Sequence, residues 1–583
     1  MDEDKLYMYS IISTLILAVA AFIFFQVAMG SKNYFYFIGM CASIALIFLI
    51  YYAKARIIHK LNYERFKKHW GQFQKRKRNI KNIKRFFDFD KKDNEDQFNI
   101  DDQTWSDLTM DEVFEIADRT LTSPGEEMLY KIFKTPEFDK EKLMERDSII
   151  KAFQENNEVR EKVGLEFVRL GRRKENGVPD LIWRDIDVNY NYGKLFNLLF
   201  FGTIASLLTI PIFKFRYLMI LAVLIAINTI EHNKFKNKVQ LYMESLGYLN
   251  GIINTANRIS KIDCPEIKYY TDILKRTSSK LMVVAKKTAG IERVEGIDVA
   301  GDAVYNMLPI EERKFFNSIG DIKRMKKELK ELYKTLGEMD ALMSIASFRE
   351  GLEYYSKPQF VDEGRIIEGE EIYHPLVKNP VSNSINLDNK GIILTGTNMS
   401  GKSTFLRTIG LNALLAQTIY TCAAKSYKTS FFKIMTSISP EDNIASGKSY
   451  YFREAEALKR IISECSEDRA VLCIIDEIFR GTNPVERVNA SAEILNYINK
   501  HNTLTLVATH DLELTEILKD KYLCCYFSED INSDGLQFDY KLKYGICRTR
   551  NAVKLLKYLE YPEEIIQKTN ERLAIQINNA SSR

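Results

Sequence analysis

The chain has 583 residues, with 83 Lys or Arg against 78 Asp or Glu, 46% hydrophobic and 28% charged side chains, and a net charge of +5. That length exceeds one compact core, and the composition excludes disordered and fibrous classes. A global polycation is excluded too. Residues 54–85 hold thirteen Lys or Arg and a single Glu, so an electrostatic partner must be met by a patch.

In chain order, the first feature is an uncharged run of 26 residues, Leu6–Ser31, followed by one of 21, Asn33–Ala53. Each is long enough to cross a hydrocarbon layer of about 30 Å as a helix. The acidic start, Asp2-Glu-Asp4, and the length of the first run fit a cleaved signal peptide poorly. The two runs predict a membrane hairpin turning at Gly30-Ser-Lys32. The basic collar follows directly, with Lys75-Arg-Lys-Arg78 at its centre, and predicts that this side is cytoplasmic. Trp70, Phe73, Phe86 and Phe87 interleave the collar, so a nucleic-acid or anionic-lipid contact stands beside the simpler reading of a topology signal.

Residues 106–172 read as helical, with a helix start at Ser123-Pro124 and apolar positions at 128, 129, 132 and 133. Leu195–Phe213 and Tyr217–Ile230 are two more apolar runs, separated by Lys214-Phe-Arg216, and predict a second membrane hairpin. The alternative is a buried helical hairpin within a soluble core, because the second run is short and Pro211 would bend the first. Farther on, Ile322, Met325, Leu329, Leu332, Leu336, Met339 and Met343 alternate spacings of three and four. That seam suits either a coiled-coil arm or the inward face of a bundle helix. From about residue 361, short apolar runs alternate with helical stretches, as in a mostly parallel α/β sheet.

Eight cysteines without a CxxC pair argue against a zinc ribbon and a disulfide framework. Adjacent Cys524 and Cys525 lie in an apolar run and read as buried strand thiols.

The chemistry concentrates at three strand ends. After Ile392-Ile-Leu394 comes Gly396-Thr-Asn-Met-Ser-Gly-Lys-Ser-Thr404, the G-x-x-x-x-G-K-[ST] phosphate loop. Its glycines let backbone N–H groups face phosphate oxygens, Lys402 reaches the β and γ phosphates, and Ser403 offers a hydroxyl to Mg²⁺. The apolar run Val471–Ile475 ends in Asp476-Glu477. Paired acids there must be solvated or bound to a cation. Asp476 is placed to hold Mg²⁺ through water, and Glu477 to orient and polarise the attacking water. Leu504-Thr-Leu-Val507 leads to His510, read as a sensor of the γ-phosphate.

Together these residues resemble the ABC-class ATPase domain of the MutS family of DNA mismatch-repair proteins. The phosphate loop Gly396, Thr397, Asn398, Met399, Ser400, Gly401, Lys402, Ser403, Thr404 is similar to that family's, with Asn-Met ahead of the second glycine. Glu441–Ser449, Asp476–Thr482 and Ala508–Leu514 resemble its downstream loop, its extended acidic strand end and its histidine switch. Tyr373-His-Pro375 resembles the turn beside the nucleotide base. Leu121–Leu129 and Asp340–Ala346 resemble parts of the family's helical core and levers, and Gly545–Ile566 its dimerisation helices.

The resemblance implies an ATPase using ATP and Mg²⁺ in a homodimer, with Glu477 and His510 catalytic, Ser403 and Asp476 on the metal, and Tyr373 and His374 at the base. It also implies that Ser449, Gly481, Thr482 and Asn483 face the nucleotide of the opposite subunit. Nothing in the chain resembles the family's mismatch-reading or connector domains, and Asn483-Pro484 stands where the family has Ser-Thr.

The expected organisation is a transmembrane hairpin (1–53), a basic cytoplasmic linker (54–105), a helical core (106–190), a second transmembrane hairpin (191–232), a helical lever region (233–360) and an α/β P-loop ATPase domain (361–583). The expected location is the cell membrane, multi-pass, with the ATPase cytoplasmic. Three functions fit this layout: a membrane-anchored MutS-like ATPase that moves helical levers, one that gates a DNA clamp through phosphate contacts, and a membrane machine coupled to the second hairpin without DNA.

Overall fold

The computed structural model describes residues 3–581 apart from 32, 34, 74–75, 187–190, 214, 291–307, 398, 439–449, 466–467, 480–482, 533–534 and 547–560. Two helices open the chain, Glu3–Ser31 and Phe35–Lys68, packed against each other. Among the described residues, these two are long and apolar enough to cross a membrane, by length and composition. Leu15, Ile16, Phe22 and Ile23 point outward and are more than half exposed, an apolar surface of the kind that marks a contact with a membrane or another protein.

The stretch expected as a linker is instead built into the helical body. The second helix runs past the apolar run, and its last turns dock on helix Asn157–Leu170. Tyr63 Oη donates to Glu161 at 3.1 Å, Lys67 pairs with the same carboxylate at 2.8 Å, and Arg160 lies 4.4 Å from the Trp70 ring centre. A collar helix, Ile80–Asp93, is capped by the Asn79 side chain and buries Ile83, Phe86 and Phe87. Those phenylalanines, read from the sequence as interleaving a binding patch, are core residues.

Helix Ser123–Lys134 starts where Ser123-Pro124 predicts, with Thr122 as its cap, and Met128, Leu129, Ile132 and Phe133 are buried. It packs on a long lever helix, Lys326–Gly351, which a break at Met325 separates from helix Ile310–Arg324. Ile322, Leu329, Leu332, Leu336, Met339 and Met343 are all buried, so the heptad seam is the inward face of a bundle helix.

The second apolar pair forms helices Asn191–Phe213 and Phe215–Ile259. The boundary expected at residue 232 does not exist as a break. The second of these helices continues without interruption from the apolar run into the core, where Leu246, Leu249, Ile252 and Ile253 are buried. Glu231 and Lys234, just past the apolar run, pair with each other one turn apart at 2.6 Å and support the helix there.

A buried polar knot ties the core to the lever. Asp340 of the lever accepts from the Leu121 N–H at 3.0 Å, and from the Thr122 N–H at 2.8 Å and hydroxyl at 2.6 Å. Glu127 accepts from Tyr333 Oη at 2.6 Å and from Asn176 at 2.9 Å. Burial pushes Glu127 up to about 8 and Asp340 up to about 7. The native state therefore keeps a proton on Glu127 that the unfolded chain releases above about pH 4.5. Stability from this group is fully present below that pH and is lost as pH rises through about 8, at a cost of up to about 5 kcal/mol. Thermal melts at pH 5 and pH 9 should therefore differ less for Glu127→Gln than for the parent.

The carboxy-terminal half carries strands β1 (Gln359–Val361), β2 (Ile366–Ile372), β3 (Asn383–Asp388), β4 (Ile392–Thr395), β5 (Ser426–Ser430), β6 (Lys433–Ser437), β7 (Val471–Asp476), β8 (Thr503–Ala508), β9 (Leu523–Tyr526), β10 (Glu529–Asn532), β11 (Gly535–Phe538) and β12 (Lys543–Tyr544). The main sheet has the order β12-β9-β4-β8-β7-β6, parallel except for β12 against β9. Every residue of β4, β7 and β8 is buried, as strands covered on both faces require, which is why they read as unbroken apolar runs. In β9, Cys525 is fully buried while Cys524 is only partly so. A smaller sheet, β1-β5-β2-β3, flanks the main one, and β10 and β11 form a separate hairpin.

Candidate nucleotide site

β4, β7 and β8 are neighbours, so their carboxyl ends bring the three sequence motifs to one edge. Thr509 N–H bonds to Leu394 O at 3.0 Å and Glu477 N–H to Ala508 O at 2.9 Å, which fixes the strand ends relative to one another.

The loop after β4 is closed by Gly396 (φ 146°) and Gly401 (φ 105°), with Met399 also left-handed at φ 69°. A Cβ at Gly396 would lie 2.8 Å from Phe527 O and 2.9 Å from Ser400 Oγ, so the cradle admits only glycine there. Helix Lys402–Ile419 starts at the end of this loop with its N–H groups facing the site. Lys402 is buried, and its Nζ donates back to Gly396 O at 2.9 Å and Thr397 O at 3.0 Å. Ser403 Oγ donates to Asp476 Oδ2. Asp476 ends β7, and Glu477 follows it in the left-handed region at φ 61°, a backbone state that holds its carboxylate away from the strand line. His510 Nε2 lies 2.9 Å from Glu477 Oε1 and 3.5 Å from Lys402 Nζ, so the imidazole bridges acid and lysine.

Beside them lies a cavity of about 690 Å³, within the range of small-ligand sites, and Asp476 and His510 stand just behind its wall. Tyr373, His374, Gly401, Lys402, Ser403, Thr404 and Glu477 all face it. His374 accepts from the Leu376 N–H at 3.3 Å, and burial with the nearby Arg407 charge lowers it to about 4, so the ring is neutral at physiological pH. Burial raises Tyr373 to about 12, and its hydroxyl donates to Tyr354 O at 2.9 Å.

Three further residues complete the site without any motif to announce them. Tyr540 packs over Gly401 and lines the cavity, held by Asn383 Nδ2 donating to its carbonyl at 3.0 Å. Phe527 lines the same cavity and stacks edge-on to Phe405. Glu529 is buried against the phosphate loop, where Thr397 Oγ1 donates to its carboxylate.

Asn398, Ser449, Gly481 and Thr482 lie outside the described residues. Asn483 caps helix Pro484–Ile498, its Oδ1 accepting from the Val485 N–H at 3.0 Å. That structural job occupies the side chain expected to face an opposite nucleotide.

Residues 392–576 match the family model of MutS domain V. The chain is 31% identical over 278 residues to the DNA mismatch repair protein MutS of Thermotoga sp. (strain RQ2), covering 46% of this chain and 34% of that protein. It is 29% identical over 323 residues to the MutS of Thermotoga maritima, covering 54% and 38%, and 30% identical over 268 residues to that of Thermus aquaticus, covering 45% and 32%. The chain thus spans about a third of the length of these curated relatives. Residues 392–576 are thus a MutS domain V, and this carboxy-terminal half carries the chain's likeness to the MutS family.

Proposed function

We propose that this protein is a membrane-anchored, MutS-like ATPase that binds and hydrolyses Mg-ATP as a homodimer and moves its helical levers as it does so. The observation that carries the reading is that Lys402, Ser403, Glu477, Tyr373 and His374 line one cavity, with Asp476 bonded to Ser403 and His510 to Glu477 directly behind them.

The residues suit the nucleotide. The glycine cradle and the start of helix Lys402–Ile419 offer N–H groups to phosphates. Ser400 Oγ is buried with no hydrogen-bond partner among the described residues, so a donor awaits a ligand oxygen there. Magnesium would be held by the hydroxyl and carboxylate oxygens of Ser403 and Asp476, hard donors suited to it, and would neutralise charge on the phosphates. Lys402 exchanges its two backbone carbonyl partners for phosphate oxygens. Glu477 orients a water and accepts its hydrogen bond, and His510 holds that carboxylate in place. Neutral His374 and the Tyr540 ring give the base end two flat, uncharged surfaces, with Lys378 the charged residue on that side of the lining.

Glu3–Ser31 and Phe35–Lys68 serve as the anchor, and the remaining domains, with the ATPase, lie on the cytoplasmic side. The relatives' printed name, DNA mismatch repair protein, makes DNA a partner to test. A mismatch reader bends the duplex around an inserted wedge, and this chain shows no counterpart of the family's mismatch-reading domain. DNA binding should therefore rest on phosphate contacts, fall steeply between low and physiological salt, and be indifferent to a single mismatch. A preference of tenfold or more for mismatched duplex, about 1.4 kcal/mol, would instead restore a mismatch reader.

A second reading, a membrane machine, has its own observation. Helix Ile310–Arg324, joined to the lever, grips the second apolar hairpin: Arg313 lies 4.4 Å from the Phe200 ring centre and donates to Asn197 at 2.8 Å, and buried Glu312 pairs with His232 at 2.6 Å. ATP turnover of the purified protein, measured with duplex DNA and with lipid vesicles, separates the two. Stimulation by DNA alone supports a DNA-linked ATPase, and stimulation by lipid alone supports the machine. Reporter fusions at Trp70 and Lys402 should both read cytoplasmic, and an external signal at either would overturn the anchor topology.

A further inference from the structure

The basic quartet that the sequence singled out does not lie open along the surface. Lys75 is outside the described residues, and Arg78 turns inward, where its Nε bonds to Asp118 Oδ2 at 2.6 Å and Glu126 Oε1 at 3.2 Å. Arg172 reaches the same two acids from the opposite side, at 3.1 and 3.4 Å. Between these elements lies a cleft of about 440 Å³, walled by residues 77–79, the first turns of the collar helix and of helix Ser123–Lys134, and residues 172–176.

The charge in and around this cleft does not balance. Lys77, Arg78, Arg172, Arg173 and Lys174 line it, with Arg76 and Arg119 close behind; against them stand Glu126 in the wall, Asp118 and Asp340 acting on Arg172 from behind it, and a Glu127 that is protonated at neutral pH. The surplus is felt by its members: burial first, then the Arg76 charge, lowers Arg119 to about 10, and burial with Arg172 and Arg78 lowers Arg76. Asp118 is already held down to about 2, against its burial, by Arg172 and Arg78. It cannot absorb more.

Arg78 Nη2 is buried with no hydrogen-bond partner among the described residues, a costly state for a guanidinium unless a ligand oxygen meets it. Asn79, Asn82 and Ile83 bring the amino-terminal turn of the 14-residue collar helix to the same wall, adding the positive end of its dipole.

We infer that this cleft is a binding site for a small phosphate-bearing anion, held by Arg78, Lys77, Lys174 and the first turn of the collar helix. The occupant would clamp the collar to the helical core beside the lever, at a place separate from the nucleotide cavity.

Inorganic pyrophosphate is a suitable probe. The full chain in detergent micelles, carrying Lys402→Ala so that the phosphate loop does not take up the probe, is titrated by calorimetry. Saturable binding is expected, and Lys77→Gln with Lys174→Gln should weaken it at least about tenfold. Both lysines are exposed, so melting and helical content should be unchanged in that variant. Arg78→Gln should weaken binding further, and the lysine pair keeps the test sound if losing the Asp118 contact also costs folding. A second arm, phosphatidic acid mixed into the micelle, distinguishes a lipid headgroup from a soluble phosphate by which of the two displaces the other. Equal affinity in the parent and the lysine variant would overturn the inference, as would an absence of saturable binding below millimolar probe. It would also fall if only duplex DNA, and not pyrophosphate, bound in a manner sensitive to Lys77 and Lys174.

Discussion

Glu477→Gln should leave ATP binding near the parental affinity and cut turnover by about 10²–10⁴-fold, the usual loss when a positioned general base is removed. The substitution is nearly isosteric and leaves Ser403 and Asp476 in contact, so the metal donors stay in place. What it removes is the charge that orients water and holds His510 at 2.9 Å. The variant should therefore accumulate in the nucleotide-bound state. Lys402→Ala makes the contrast, since Lys402 is the residue proposed to meet the phosphates and its loss should weaken binding itself. Equilibrium binding of a fluorescent ATP analogue and single-turnover hydrolysis, measured on both variants, separate the two effects. Parental turnover by Glu477→Gln protein would reject the assignment.

Arg349→Leu should be the most destabilising single change outside the nucleotide site. Arg349 is 1% exposed at the end of the lever. It donates to Ile419 O and Tyr420 O at 3.0 Å and to Thr421 Oγ1 at 2.7 Å, and pairs with Asp147 at 2.7 Å. Those carbonyls are the open end of helix Lys402–Ile419, whose chain then turns through left-handed Tyr420 (φ 51°). The arginine thus satisfies groups that the helix end cannot satisfy for itself and complements its dipole. Removing it strands both the carbonyls and Asp147, a loss of about 3–5 kcal/mol for a broken buried pair. Lys357, 2.6 Å from the other Asp147 oxygen, keeps that acid partly compensated, so the lower end of the range is expected. Chemical denaturation of the parent and of Arg349→Leu, followed by circular dichroism, reads the difference. The same helix carries Lys402 at its other end, so the variant should also raise the KM for ATP.

What the sequence revealed and what it hid follow from how local each signal is. The phosphate loop, Asp476-Glu477 and His510 each sit at the end of a continuous apolar run, because strands buried on both faces leave no polar interruption until the edge. Tyr540, Phe527 and Glu529 had no such marker. Tyr540 and Phe527 reach the cavity, and Glu529 the phosphate loop, from the β9–β12 region, where position is set by tertiary contacts such as Asn383 to Tyr540. The collar misled for a related reason. Charge density along residues 54–85 says nothing about partners, and Asp118 and Glu126, which claim Arg78, lie about forty residues farther on. The boundary expected at residue 232 followed the end of an apolar run, yet charged residues one turn apart carry a helix on as readily as they end one.

That uninterrupted helix, Phe215–Ile259, has a mechanical consequence. Its 45 residues extend about 68 Å at 1.5 Å per residue, with the carboxyl-terminal third packed in the core and the remainder held against helices Asn191–Phe213 and Ile310–Arg324. Such a rod amplifies: tilting its base by about 5° carries its apolar end, and the helices packed on it, sideways by about 4 Å over roughly 45 Å. A displacement too small to disturb packing in the body would thus arrive at the apolar end as nearly one turn of helix, without any residue between having to change its conformation.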